Sequence, residues 1–560
     1  MPSRRRRFPL TPFLLALAAS GYVQTARAVV TLAPGAPADT FDVDSAYITG
    51  LVAATGLRFL PDGRLLITEK GGDLKVWANS TLTTVPPTSS ACATTFCVDA
   101  ESEKGLLGVV AHPDYAQNKR IIVYWSVAAS TDDKRNRVSS FVLDGTTIDA
   151  KSEVILVDNI EGPGNHDGGG LTVGPDKMLY VGTGDTGCNE NIPLDGPDAD
   201  TVPDRFHRNL LGTALNSANG KVLRVDPNKE FPNSAPPDNP LVGATNVSGV
   251  PIDPPTCNDQ GGLQNTYDAR PEIYATGFRN VWRLWADPAT GLIWAGDVGE
   301  KQYEEINIVE KGKHYGWPFI EGPVNPAGWP LSQCSTLSPS PGDCVPPAYM
   351  CSHFLNVPGI DNECISITGG QIVDSCAFPT SFRGKYFFGD NDKEGKVWSI
   401  DVTEDRRGFA ATQAQEFLRV GDEEGVTELT EGPDGALYVV VLGYEGPSSV
   451  ARVTPKQPAN EPGCMPPGMA GSGGSGPGGS GGGGGAPGTG GSGQGGQGGQ
   501  GGLGAGGAGA AGAGGNPADG GDDDDDGCGC RTAGGDRSAS FALLLGAGVA
   551  AALLRRKARR

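Results

Sequence analysis

The sequence predicts an all-β fold, a six-bladed β-propeller, on three observations. Turns rich in Pro, Asp or Gly repeatedly open short apolar strands. Several of these strands pass through a second turn into a partner strand, and the unit recurs over about fifty residues. Helical periodicity is nearly absent.

The first unit sets Pro61-Asp62-Gly63-Arg64 before Leu65-Leu66-Ile67-Thr68. Lys70-Gly71-Gly72-Asp73 then turns the chain into Leu74-Lys75-Val76-Trp77. A weaker copy puts His112-Pro113-Asp114 before Ile121-Ile122-Val123-Tyr124. Pro175-Asp176-Lys177 precedes Leu179-Tyr180-Val181, and Pro288-Ala289-Thr290-Gly291 precedes Leu292-Ile293-Trp294. Near the end, Lys385 to Phe388 pairs naturally with Lys396 to Ile400, and Pro433-Asp434-Gly435 precedes Leu437-Tyr438-Val439-Val440. Six blades suit the length of residues 29–456 best, with five or seven as alternatives.

The propeller occupies the middle of the chain. Residues 1–28 read as a signal peptide: four arginines, an apolar run from Phe8 to Val23, then Ala26-Arg27-Ala28 as a cleavage pattern. Residues 457–527 are mostly Gly with Ser, Gln, Ala and Pro, a composition that buries too little apolar surface to fold and reads as a disordered stalk. Within it, Asp522 to Asp526 is an acidic spacer. Residues 528–560 join Cys528-Gly529-Cys530 to a short hydrophobic helix, Ser538 to Leu554, and an Arg-rich end. That order resembles a bacterial MYXO-CTERM-type sorting tail, or else an ordinary C-terminal membrane anchor. Either implies an exported protein held at the cell surface or outer membrane through its tail, or released after tail processing.

The formal net charge is −21, and loss of the five arginines in residues 1–28 makes the mature chain more acidic still. Such a balance argues against nucleic acid as a partner. Of twelve Cys, two lie in the tail. The other ten are an even set in an exported chain, so disulfides are expected, with Cys92–Cys97 as a local pair. The connectivity of Cys334, Cys344, Cys351 and Cys364 is not legible, and no Cys/His spacing suggests zinc.

Three constellations carry chemistry. There are only five His, and His166 sits in Gly164-Asn165-His166-Asp167-Gly168-Gly169-Gly170, just before a strand that runs on to Gly182-Thr183-Gly184-Asp185. A hairpin there would bring Asp185 back to orient the imidazole and raise its basicity. The plainer reading is a loop His with a structural hydrogen bond. Arg279-Asn280 follows Thr276-Gly277-Phe278 and can present a planar cation and an amide to a carboxylated or quinone ligand; alternatively the Arg stacks on Trp282 or Trp285. Asp297-Val298-Gly299-Glu300, followed by Tyr303-Glu304-Glu305-Ile306-Asn307, can offer carbonyls and carboxylates to Ca2+, or be a solvated acidic turn.

Together these motifs resemble the soluble quinoprotein glucose/sorbosone dehydrogenase family, which includes aldose sugar dehydrogenases and the propeller of hedgehog-interacting protein. The resemblance runs from about Gly56 to Pro455. Gly105-Leu106-Leu107-Gly108 with His112-Pro113-Asp114, Gly220-Lys221-Val222-Leu223-Arg224 and Tyr315-Gly316-Trp317-Pro318 add to it. It implies a six-bladed propeller carrying PQQ (pyrroloquinoline quinone) over the central channel, with an aldose as substrate and an external electron acceptor. His166 matches the general base that takes the anomeric hydroxyl proton as hydride passes to the quinone. Asp185 matches the carboxylate that holds this His, Arg279 the group that stabilises developing negative charge, and Asn280 a cofactor contact. Gly299 and Glu300 match the positions whose carbonyls hold Ca2+.

The pattern departs at three places. Glu103 stands where the family has a cofactor-binding Gln. The Lys expected after Ile367-Thr368-Gly369-Gly370 has no match, the stretch reading Gln371-Ile372-Val373-Asp374. The two Arg expected near Gly425 and Thr427 are absent. Two further readings therefore stay open: a catalytically degenerate propeller that binds a protein or glycan, and a Ca2+-dependent lactonase. The intact His166/Asp185 and Arg279/Asn280 motifs argue against the lactonase.

Overall fold

The computed structural model describes residues 29–457 apart from 90–91, 129–134, 188–209, 247–267, 301, 319, 323–343, 354–361, 393, 422–423 and 444–445. The expected signal peptide, nearly all of the stalk and the tail, with His207, Cys188, Cys257, Cys334 and Cys464, lie outside the described residues.

Six antiparallel sheets form the fold. The chain opens with β1 (Thr31–Leu32) and β2 (Phe41–Leu51). Blade A is β3 (Ala54–Phe59), β4 (Leu65–Glu69), β5 (Leu74–Ala78) and β6 (Thr81–Thr84). Blade B is β7 (Leu106–Ala111), β8 (Arg120–Ser126), β9 (Arg135–Asp144) and β10 (Thr147–Glu161). Blade C is β11 (Gly170–Val173), β12 (Leu179–Gly182), β13 (Lys221–Val225) and β14 (Ile273–Thr276). Blade D is β15 (Val281–Ala286), β16 (Ile293–Asp297), β17 (Tyr303–Val309) and β18 (Tyr349–Ser352). Blade E holds β19 (Ile367–Ile372), β20 (Lys385–Asp390), β21 (Lys396–Asp401) and β22 (Gln415–Arg419), with β1 added at its edge. Blade F holds β23 (Glu424–Glu431), β24 (Leu437–Gly443) and β25 (Ser448–Pro455), and its fourth strand is β2. The expected six-bladed propeller is the observed one.

Each predicted strand after a Pro/Asp/Gly turn is the second strand of its blade, because the turn reverses the chain out of the innermost strand. The turn Asp also has a packing task. In blade F, Asp434 accepts hydrogen bonds from Tyr438 Oη at 2.9 Å and Arg452 Nε at 3.0 Å. In blade C, Asp176 does the same with Tyr180 and Arg224, both at 3.0 Å. In each blade the Tyr and Arg are cross-strand partners.

The core is divided into six apolar clusters, each between adjacent blades. Leu107, Tyr124 and Val138 of blade B pack on Leu171, Val181 and Leu223 of blade C. Phe387 and Val397 of blade E meet Leu437 and Val439 of blade F. Ile48 and Val450 of blade F meet Leu57 and Ile67 of blade A, which closes the ring. Strand residues buried on both faces read as the apolar runs seen in the sequence, and each such side chain contributes roughly 1.5–3 kcal/mol.

The axis of the ring is bridged by ions. Arg283 on the inner strand of blade D reaches the opposite blade A, where it donates to the Thr55 carbonyl. It also lies 3.2 Å from Glu428 of blade F. Glu428 binds Arg58 at 2.8 Å and accepts the Leu57 N–H at 3.0 Å. Burial pulls the Arg283 pKa down to about 10, against the opposing pull of Glu428. Arg283 stacks on Trp282 at 4.4 Å, whose indole N–H donates to the Thr427 carbonyl at 2.8 Å.

Two disulfides are seen among the described residues. Cys92–Cys97 is the pair expected from sequence, and Cys351–Cys364 resolves part of the set whose connectivity was not legible.

Removing Glu428 leaves Arg283 charged and buried without its carboxylate. Glu428→Ala is expected to lower unfolding free energy by about 3–5 kcal/mol, read from urea denaturation, whereas Arg419→Ala at an exposed ion pair should change it by under about 1 kcal/mol.

Candidate active site

The candidate residues gather at one end of the propeller, where chains enter the inner strands and where second strands turn into third strands. His166 precedes β11, Asp185 follows β12, and Arg279 and Asn280 precede β15. Gly299 and Glu300 lie in the turn from β16 to β17, and Glu103 precedes β7.

The β11–β12 hairpin pairs Gly170 with Gly182 and so returns the chain to His166. His166 Nδ1 lies 2.6 Å from Asp185 Oδ1. Asp185 is fully buried. Its carboxylate also accepts the Gly187 N–H at 2.9 Å and the Trp317 indole N–H at 2.6 Å. Three donors thus fix the carboxylate, which in turn holds Nδ1–H and leaves Nε2 as the basic nitrogen. Gly184 is needed here for space: a Cβ would sit 1.8 Å from the His166 carbonyl oxygen.

Arg279 and Asn280 are held from below. The Asp297 carboxylate accepts the Arg279 N–H at 3.1 Å and the Asn280 N–H at 2.7 Å. The Arg279 side chain donates to the Val298 carbonyl at 3.0 Å and lies over the Trp317 ring at 5.7 Å. It therefore stacks on neither Trp282 nor Trp285. The Asn280 side-chain oxygen accepts the Gly168 N–H at 3.1 Å, tying this turn to the His166 loop. Trp317 serves both halves of the site, since it binds Asp185 and covers Arg279.

The turn from β16 to β17 wraps a carboxylate that sequence reasoning missed. Glu321 Oε1 accepts the N–H groups of Glu300 at 2.8 Å, Gln302 at 3.0 Å and Tyr303 at 3.2 Å. In a trans peptide the carbonyl opposes the N–H. The Gly299 carbonyl therefore faces away from Glu321, as a carbonyl ligand to a hard cation requires. Among the described residues there is no cluster of three or more His, Cys, Asp or Glu side chains that could hold a metal. A cation at this turn would rest on backbone oxygens, so the donor set fits Ca2+ rather than a softer ion.

A second His–carboxylate pair also went unread in the sequence. His353 follows β18, and its Nε2 lies 2.6 Å from Glu304 Oε1. Burial disfavours its charge, but Glu304 outweighs burial and raises its pKa. His112 and His314 are structural: burial lowers the pKa of both, that of His314 to about 3. In the stretches where the expected cations are absent, two neutral side chains are already engaged. Gln371 accepts from Thr430 at 3.1 Å, and Thr427 donates to the Ala54 carbonyl at 3.1 Å.

The family model described as Glucose / Sorbosone dehydrogenase matches residues 51–448. The chain belongs to the glucose/sorbosone dehydrogenase family. It is 27% identical over 418 residues to the aldose sugar dehydrogenase YliI of Escherichia coli, covering 71% of this chain and 89% of that protein. It is 26% identical over 314 residues to quinoprotein glucose dehydrogenase B of Acinetobacter calcoaceticus, covering 54% and 58%. The fold is similar to that of the apo-form soluble aldose sugar dehydrogenase from Escherichia coli, with a TM-score of 0.52 at 22% identity over 74% of this chain and all of that one. Asp297 beneath Arg279 and its cross-strand partner Glu305 are buried acids that give stability a pH dependence. Burial raises Asp297 to about 7 and Glu305 to about 8, and each carboxylate works against the other's charge or that of a further neighbour.

Because the folded-state pKa of Glu305 exceeds its unfolded value, folding favours the protonated form. Its stabilising contribution is full below the ordinary Glu range near pH 4 and is lost as pH rises through about 8. Glu305→Gln removes that titration and keeps an acceptor for the Gly322 N–H, bonded at 2.6 Å. Denaturant unfolding at pH 5, 7 and 9 should show the variant losing less stability than the parent between the first and last value.

Proposed function

We propose that this protein oxidises the anomeric hydroxyl of an aldose to the lactone, using PQQ and Ca2+. The observation that carries the reading is the buried His166–Asp185 pair beside the Arg279–Asn280 turn, the Asp185 N–H donating to the Arg279 carbonyl at 2.7 Å. Family membership supports the reading, as do the printed names of the relatives above, an aldose sugar dehydrogenase and a quinoprotein glucose dehydrogenase.

PQQ, when bound, supplies the two-electron acceptor for the hydride leaving the sugar's anomeric carbon. Arg279 and Asn280 are the residues that would hold it. Gly299 and Glu300 would hold the Ca2+ through backbone carbonyls. His166 Nε2 takes the proton of the anomeric hydroxyl. Asp185 keeps the proton of the other ring nitrogen in place and stabilises the imidazolium as it forms. Arg279 would set a fixed guanidinium beside PQQ, where it would stabilise negative charge. Trp317 keeps water from the guanidinium face and fixes the Asp185 carboxylate.

A second reading, a surface propeller that binds a protein or glycan without turnover, is favoured by the neutral Gln371 and Thr427. They leave Arg279 with less cationic help in holding a tricarboxylate. The chain is also 25% identical to the HIPL1 protein of Arabidopsis thaliana over 417 residues.

The test is a titration of the protein with PQQ and Ca2+, followed by dye reduction with a panel of aldoses. Saturable binding and sugar-dependent turnover are expected. His166→Ala and Asp185→Asn should lower kcat by about 10²–10⁴-fold while sparing cofactor binding. Absence of binding at saturating PQQ and Ca2+ in folded protein would sink the oxidoreductase reading and leave the binding module.

A further inference from the structure

We infer that Glu103 is a positioning residue that clasps the backbone of His166, and that its carboxylate serves this clasp rather than a cofactor contact. The inference rests on the reading of His166 as the base.

The geometry is reciprocal. The Glu103 N–H donates to the Gly164 carbonyl at 3.2 Å. The Glu103 carboxylate, through Oε2, accepts the His166 N–H at 2.8 Å. One residue thus grips a three-residue segment at both ends. Gly164 lets the two segments approach: a Cβ there would meet the Ser102 Cβ at 3.3 Å and the Lys104 Cε at 3.4 Å.

His166 needs such a grip because its φ is +49°, in the left-handed region. A non-glycine residue held there costs on the order of 1 kcal/mol and keeps that conformation only where its surroundings impose it. Asp185 fixes the imidazole, but a ring hydrogen bond alone leaves the backbone free to relax. The following residues are tied separately. Tyr124 donates to the Asp167 carbonyl at 2.6 Å, Asn136 to the Asp167 carboxylate at 2.8 Å, and Gly168 to Asn280. Glu103 supplies the hold on the preceding side.

A carboxylate suits this task better than the family's Gln. An N–H bond to an ionised acceptor is roughly twice as strong as one to a neutral acceptor. Lys70 lies within electrostatic reach of Glu103, Asp167 and Asp99, and its ammonium donates to the Ala100 carbonyl at 2.5 Å. A cation of the protein itself thus stands near the carboxylate at position 103. The substitution retains side-chain length and an acceptor oxygen, and adds charge where the backbone of the base is held.

The experiment compares the parent, Glu103→Gln and Glu103→Ala. In cofactor-free protein, amide hydrogen exchange of the peptide spanning residues 164–168 should be about tenfold faster in Glu103→Ala and at most about threefold faster in Glu103→Gln, which keeps a weaker acceptor. In PQQ- and Ca2+-loaded protein, kcat should fall about 10–100-fold in Glu103→Ala and recover in Glu103→Gln, while the Kd for PQQ changes less than about threefold in both. Parent-like exchange in Glu103→Ala would overturn the inference. So would a weakened Kd for PQQ with unchanged kcat, which would make Glu103 a cofactor contact. The exchange arm needs no turnover, so it decides the clasp even where PQQ fails to bind. Should Glu103→Ala not fold, Glu103→Gln remains decisive: a Kd for PQQ within about threefold of the parent supports the clasp, and a larger shift overturns it by making position 103 a cofactor contact.

Discussion

Closure of the ring is the constraint on which everything else depends. Each blade is a flat-sided wedge whose apolar faces need a neighbour on either side, so six interfaces are satisfied only together. The closing interface is made by chain ends: β2 pairs with β25 from Phe41↔Pro455 to Leu51↔Ser448, with register shifts between Asp44 and Ile48 and between Ile48 and Leu51. That pairing converts an open stack, with two exposed apolar faces, into a ring with none. The axial ions then act as a keystone. Arg283 and Glu428 join three inner strands across the channel.

The site exploits the same closure. A propeller blade offers its loops at one mouth, and rigid strands below them fix where each loop begins. His166 leads into blade C, but its N–H is held by Glu103 of the preceding blade, and Gly168 of the same loop is held by Asn280 of the following one. Arg279 belongs to blade D, yet its backbone is set by Asp297 and its side chain by Trp317. The geometry of the candidate centre is therefore a property of three adjacent blades. Buried carboxylates do much of this positioning by accepting backbone N–H groups: Asp185, Asp297 and Glu321 each do so. This places buried carboxylates beneath the Arg279 turn, and burial raises the pKa of Asp297 and Glu305.

Much of this was legible in the sequence, and the reasons differ by element. The Pro-Asp-Gly turns announced second strands because their chemistry is local: a fixed φ, a side chain that accepts from the backbone two residues on, and a residue tolerant of positive φ. Blade E, where no such turn joins β19 to β20, was read from its β20–β21 pair instead. The β11–β12 hairpin carried Asp185 to His166 because pairing fixes register. What escaped was non-local. The bond from Trp317 to Asp185 spans 132 residues, that from His166 to Glu103 spans 63, and Glu321 lies 21 residues beyond the turn it organises. No spacing rule links such positions. The role of β2 escaped for the same reason, since its partner lies at the other end of the domain.

That last pairing has a consequence for the timing of assembly. A ribosome delivers β2 first, but β25 exists only after residue 455 has been made. Throughout synthesis the emerging chain therefore carries an unsatisfied strand edge, and blades A to E can stack on one another before blade F has its full complement. Folding to the closed ring is necessarily a late, long-range event.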